Sequence, residues 1–394
     1  MNRRPFSRHR ASRDAERLAR LAQGLAHSGN RLEDAWWEAQ MAAVIDKALQ
    51  SGNDDPLNQA LDRLHEGDVQ TPGRAYELLA DLIEAGCEIS PPTLETETAC
   101  VLLALPVLAW SRYVIPTRSV PAATLDALRA HLTAHVLGEV RRVHFADYLF
   151  SPDQLPQGYV QTRVFADALW AATRAGQDMK VQAESLPESQ NFISDVRYLV
   201  AAVEVQIDQP LFRWNSVDGL DEHARNEALA AWRAQGGPNL QALLTGCLYE
   251  MLLPESYFNA WRHADQDARP FALKAAAAYL QLLLGVTAAQ LAAVVAPYYE
   301  QHLEEWRISF LFKGQVVHGV TWPLLGQEDE SGDVSTQLVN LLTDAGIQEV
   351  RVLDTRMPLE YCDDCGAPLF PNVEGENVHS EMPEGTHNAP THLH

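Results

Sequence analysis

The chain has 394 residues, with 30 Lys and Arg against 53 Asp and Glu, a formal net charge of −23 and 46% hydrophobic residues. That apolar content excludes a disordered chain, and the length leaves room for two or three domains or one duplicated body. The acidity disfavours nucleic-acid binding, because such affinity comes largely from cationic contacts to phosphate.

Residues 1–13 hold Arg3, Arg4, Arg8, Arg10 and Arg13 and no acid. They read as a flexible basic arm, with contact to an anionic partner as the sharper alternative. Asn2-Arg3-Arg4-Pro5-Phe6 has a twin-arginine look, but no apolar segment follows, which argues against export. A helical region is expected over 14–90, with helices at 14–28, 32–50, 54–64 and 74–85. Leu18, Leu21, Ala22 and Leu25 share one face of the first. Trp36 and Trp37 cannot share a helical face, so one is expected in the core and the other over a neighbouring element.

Ser90-Pro91-Pro92 changes the texture. A buried strand is expected over 98–110 despite Pro106, then a helix with Leu125, Leu128 and Leu132 on one face, a strand over 140–146 and a helix over 160–174. The order then recurs: a strand over 198–207, helices over 223–234 and 240–244, a strand over 247–252 and a helix over 271–284. The loops beginning Phe150-Ser151-Pro152 and Leu253-Pro254-Glu255 correspond, as do the helix segments Phe165-Ala166 and Phe271-Ala272. These matches imply a duplicated unit, 91–195 and 196–300, with a shortened third copy at 301–358. In the third, Lys313-Gly314-Gln315 joins a hairpin. Asp333 or Ser335 caps a helix ended by Gly346, and a strand covers 350–353. The charge-free stretch 275–299 is long enough to span a bilayer. Its glutamines, and a capping box at Thr287 and Gln290 after Gly285, favour two short buried helices instead. The fold class is therefore α/β (α+β): a helical N-terminal region, repeated strand–helix–strand units and a C-terminal zinc-knuckle-like hairpin over 359–394.

That last stretch carries the definite chemistry. Cys362 and Cys365 form a Cys-x-x-Cys pair, which can grip one zinc ion from a tight turn, and Gly366 suits such a turn by tolerating positive φ. The segments 369–373 and 378–379 read as a hairpin returning His379 to the thiolates. His387 completes the expected set, with His392 or His394 as substitutes. Unmetallated thiols and a redox pair are the alternatives. The redox reading needs a helix N-terminus to lower a thiol pKa, and Gly366-Ala367-Pro368 opposes that helix. The bland reading of the late histidines is a solvated tail. Four protein ligands would make the zinc structural; three plus water would leave an open position, with Glu360, Asp363 or Asp364 as a general base. The other cysteines are Cys87, Cys100 and Cys247. An odd count without a disulfide pattern suggests a reducing, cytoplasmic setting.

Other candidates are weaker. His131 and His135 have i, i+4 spacing but lack the H-E-x-x-H frame, and read as helix surface. His263, Asp265 and Asp267 read as an exposed cap or an acid–base cluster, and Arg112 as a buried ion-pair partner or a strand-end ligand contact. There is no dinucleotide fingerprint, P-loop, Gly-x-Ser-x-Gly elbow or EF-hand frame.

The pairing of Arg17-Leu18-Ala19-Arg20-Leu21 with Glu33-Asp34-Ala35-Trp36-Trp37-Glu38 resembles an uncharacterised betaproteobacterial family, DUF2863, labelled only as a domain of unknown function. Trp110-Ser111-Arg112-Tyr113, Leu149-Phe150-Ser151 and Glu360–Leu369 carry the same resemblance. It implies a bacterial cytoplasmic protein of single architecture and brings no catalytic residues. The expectation is a non-enzymatic, zinc-stabilised scaffold or regulatory protein with a protein partner and no membrane association. The alternative is a metal-dependent, hydrolase-like enzyme with its site at the repeat interface or the knuckle.

Overall fold

A computed structural model describes residues 12–383, apart from 68–72, 94, 96, 217–218, 326–327 and 329–332. Most of the basic arm therefore lies outside the described residues. Helices α1 (Arg13–Ala26), α2 (Arg31–Ser51), α3 (Asp55–Gly67) and α4 (Arg74–Glu88) come first. Local chemistry sets their ends. Ser12 Oγ accepts from Ala15 N, and Asn30 Oδ1 accepts from Leu32 N and Glu33 N. Gly52 ends α2 in the left-handed conformation. Leu18, Leu25, Ile45, Leu57, Leu79 and Ile83 meet in one core, which Trp37 covers. Trp36 stays 55% exposed rather than covering a neighbouring element, and meets Trp37 edge-to-face at 4.7 Å.

The next elements are β1 (Thr98–Trp110), α5 (Ala122–His135), β2 (Val140–Phe145), α6 (Tyr159–Arg174), β3 (Ser194–Gln206), α7 (Glu222–Ala231), β4 (Leu248–Met251), β5 (Glu255–Ser256) and α8 (Tyr257–Leu284). The first sheet has the order β2-β3-β1-β4, with β5 also on β1. β1 and β3 run antiparallel over their whole length, from Thr98↔Gln206 to Trp110↔Ser194. The stretches β1-α5-β2-α6 and β3-α7-β4-α8 share one element order, and each places its second strand on the other's first. The result is the crossed order of a split βαβ arrangement.

Both faces of this sheet are covered, which explains the unbroken apolar run of β1. Leu103, Leu105 and Val107 face α5 and Trp232. Leu102, Ala104 and Leu108 face Trp170 of α6 and Tyr257, Ala260 and Ala264 of α8. Pro106 fits because β1 pairs with β4 over 107–110 and with β5 over 103–104. On that side its missing N–H falls between the two pairings, while its carbonyl accepts from Leu252 N at 3.0 Å. The helical N-terminal region docks on the α6/α8 layer, where Asp54 Oδ1 accepts from Val160 N at 2.8 Å and Glu88 Oε2 from Phe258 N at 3.2 Å.

Helix α8 is longer than expected. It begins at Tyr257, within the anticipated loop, and continues through Pro270. Before Pro270 it packs on the first sheet; beyond it, Leu273, Ala276, Ala277 and Leu280 pack on a second. The second sheet comprises β6 (Ala292–Tyr299), β7 (Leu303–Phe312), β8 (Gln315–Pro323) and, after α9 (Val334–Asp344), β9 (Glu349–Val352) and β10 (Met357–Pro358). Its order is β8-β7-β6-β9, with β9 and β10 parallel to β6. The expected second helix of 275–299 is thus corrected to a strand. The Thr287/Gln290 capping box is present, but it closes one turn at Ala288–Gln290 before β6 begins. Val294, Val295, Tyr298 and Tyr299 suit a central strand, Pro297 falls between the pairings with β9 and β10, and the core they meet overrides the helix propensity of the alanines. One face of this sheet lies under α8 and α9. The other receives the C-terminal hairpin, β11 (Phe370–Pro371) with β12 (Asn377–Val378). Among the described residues no helix is long and apolar enough to cross a membrane.

Candidate metal centre

β9 and β10 deliver the chain to the Cys-x-x-Cys turn. A bridge between Tyr361 and Pro368 closes its neck. Cys362 N donates to Ala367 O at 2.7 Å and Gly366 N to Cys362 O at 2.8 Å, with Gly366 at φ +72. The hairpin then reverses at Asn372–Glu376, where Asn372 Oδ1 accepts from Glu374 N and Glu376 N. The pairing Phe370↔Val378 sets the register that brings His379 back to the cysteines.

The ligand atoms of Cys362, Cys365 and His379 all lie within 4.8 Å of one another. Cys365 Sγ and His379 Nε2 are 3.3 Å apart. A tetrahedral ion with bonds of roughly 2.0–2.3 Å holds its ligand atoms about 3.5–3.8 Å apart, so the three fit one ion with little movement. Backbone N–H groups of Cys365 and Asp364, with the Cys365 side chain, lower the Cys362 thiol pKa and favour its thiolate. The turn contains no helix N-terminus, which removes the basis of the redox reading. His387, His392 and His394 lie outside the described residues.

The footing of this turn was not visible in the sequence. Arg307 on β7 is fully buried. Its Nη1 donates to Glu360 O at 2.7 Å and Leu369 O at 2.6 Å, gripping the chain on each side of the cysteines. Its Nε donates to Glu305 Oε1 at 2.6 Å, and its guanidinium lies 4.3 Å from the ring centroid of Tyr298. Ser309 Oγ donates to Pro371 O, and Tyr298 Oη to Asn377 Oδ1, each at 2.5 Å. Asn377 Nδ2 in turn donates to Glu360 Oε2 at 2.9 Å. Phe370 lies flat on Gly319 of β8, where a Cβ would come within 2.3 Å of the ring. In sequence Arg307 and Ser309 alternate with Trp306, Ile308 and Phe310, a pattern that reads as a solvent face. The hairpin covers that face.

The remaining candidates do not gather. Among the described residues, Cys362, Cys365 and His379 are the only three metal-type side chains close enough to share an ion. His131 and His135 stack at 5.9 Å, and His135 Nε2 meets Gln235 Oε1 at 3.1 Å. Arg112 is exposed against Tyr113 instead of buried in an ion pair. His263 and Asp267 belong to the interior of α8, not to a helix cap, and line a cleft with Glu255.

Fold and site together define a mixed α/β protein with a C-terminal Cys/Cys/His group able to hold a metal ion. The chain matches the family described as "Protein of unknown function (DUF2863)" over residues 3–393, nearly its full length, and belongs to that family. No curated protein and no solved structure matches it.

Proposed function

We propose that the chain is a non-catalytic scaffold or interaction protein, working in a reducing compartment, whose C-terminal segment is held by a structural zinc ion. The observation that carries this reading is the convergence of Cys362, Cys365 and His379 on a hairpin anchored by buried Arg307. Two soft thiolates and an imidazole are a zinc-type donor set, and Cys-rich sites are mostly closed by a fourth protein ligand. His387, or His392 or His394 in its place, is the proposed fourth. A zinc ion here would fix a segment too short to hold itself: β11 and β12 pair over two residues each. The exposed rim of Tyr361, Asp363 and Asp364 would then be displayed to a protein partner.

The second reading, a metal-dependent hydrolytic enzyme, draws on the exposure of Cys365 and His379, which leaves the site open to solvent. Zinc-edge X-ray absorption separates the two. Two sulfurs and two imidazoles support the structural site, whereas a water-type oxygen in the fourth position supports the enzyme. Removing the metal should lower thermal stability if zinc is structural, and leave the fold intact if it is catalytic.

A further inference from the structure

We propose that the cleft between α7 and α8 binds a small zwitterion, an α-amino acid with an apolar side chain. The cleft has a volume of about 270 Å³. That is just under the roughly 300–1,000 Å³ of typical small-molecule sites, which suits a single amino acid and not a nucleotide. One wall comes from α7 and the wide turn after it, carrying Arg225, Leu229 and Arg233. The opposite wall is α8, which presents Ala260, His263 and Asp267 at i, i+3 and i+7 on one face. Leu252 and Leu253 add an apolar floor.

The charges are already oriented. Glu255 uses one oxygen for Arg225 Nη2 at 3.1 Å and the other for His263 Nδ1 at 2.5 Å. Arg233 Nε donates to Met251 O at 2.8 Å, and its Nη2 meets Glu250 Oε1 at 2.5 Å. Each guanidinium retains further N–H groups, because arginine carries five. Asp267 is the exception: it makes no hydrogen bond or ion pair among the described residues. Desolvation in the cleft raises its pKa, with Glu250 and Glu255 adding to the rise against His263 and Arg233. Asp267 is exposed at the cleft, where a ligand ammonium would pair its open carboxylate, while a ligand carboxylate would take the spare arginine donors. A polyanion would be repelled by Glu255 and Asp267, and a polyamine by the two arginines. The site is independent of the zinc reading.

The test is isothermal titration of the full-length protein with L-leucine and L-phenylalanine. Comparison probes are 4-methylpentanoate, which lacks the ammonium, and 3-methylbutylamine, which lacks the carboxylate. Saturable binding of the amino acids is expected, with each comparison probe weaker by about tenfold or more, the order of one charge-assisted contact. Asp267→Asn should weaken leucine by a similar factor and leave 4-methylpentanoate unchanged. Asp267 is exposed and makes no hydrogen bond or ion pair among the described residues, so this variant is expected to keep the fold, which thermal unfolding checks. Arg233→Gln, checked for folding by thermal unfolding, should weaken leucine and 4-methylpentanoate together. Absence of saturable binding by either amino acid, or leucine binding unchanged by Asp267→Asn, overturns the proposal.

Discussion

A guanidinium with no solvent exposure, as at Arg307, is tolerated only when charge and hydrogen bonds offset its lost hydration. Here Glu305 supplies the charge, and the carbonyls of Glu360 and Leu369 supply the acceptors. Arg307→Met would take the charge partner from Glu305 and a donor from each carbonyl, although Glu360 O still accepts from Leu369 N. Its expected cost is about 3–5 kcal/mol by denaturant unfolding. If the hairpin carries the metal, metal affinity should also fall by about 10–100-fold, as for outer-shell partners elsewhere. Gly319 works through the absence of a side chain, since Phe370 occupies the space of a Cβ. Gly319→Ala should displace Phe370 and cost about 1–3 kcal/mol, read as a lower thermal midpoint. The cysteine turn itself was legible, because Cys-x-x-Cys followed by glycine constrains local geometry. Its anchors were not, because alternation shows that Arg307 and Ser309 share a face but not what covers it.

The start of α8 is the joint between the helical N-terminal region and the sheets. Glu88, at the end of α4, accepts from the Phe258 backbone N–H there. Burial pushes its carboxyl up to about 7, against the lowering effect of that hydrogen bond. The folded state therefore holds a proton that the unfolded chain releases from about pH 4.5 upward. Stability falls as pH rises through that window, and the penalty is complete above about pH 7. Glu88→Gln keeps an acceptor for Phe258 and removes the titration. It should stabilise the protein at pH 8 by up to about 3 kcal/mol, with most of the gain gone at pH 5. Urea unfolding at the two pH values checks both size and direction.

Element legibility varied for physical reasons. β1 was clear as a short, unbroken apolar run, and the hairpin of β7 and β8 because β-branched and aromatic residues flank the turn Lys313-Gly314. β6 was misread because Ala292, Ala293 and Ala296 carry helix propensity, and its strand character comes from a sheet assembled from distant segments. The start of α8 was missed because Pro254 and Pro270 bracket it, and proline is permitted inside a helix where packing compensates.

At the scale of the whole molecule, two sheets share one long helix, and the far face of the second is completed by the C-terminal hairpin. Composition and periodicity revealed the α/β class and the order of most elements. The crossed pairing of β2 with β3 and β4 with β1 depends on contacts between residues far apart in sequence, which no local pattern encodes. On this account the hairpin is secured from below by Arg307 and from above by zinc. The most direct measurement is zinc content per chain, by elemental mass spectrometry, on protein purified without a metal-affinity step, for the natural sequence and for Cys362→Ser/Cys365→Ser. One zinc per chain is expected in the natural protein and none in the double variant, with the variant melting at lower temperature. A natural protein without stoichiometric zinc, or a double variant that retains it, would rule out a zinc ion held by Cys362 and Cys365.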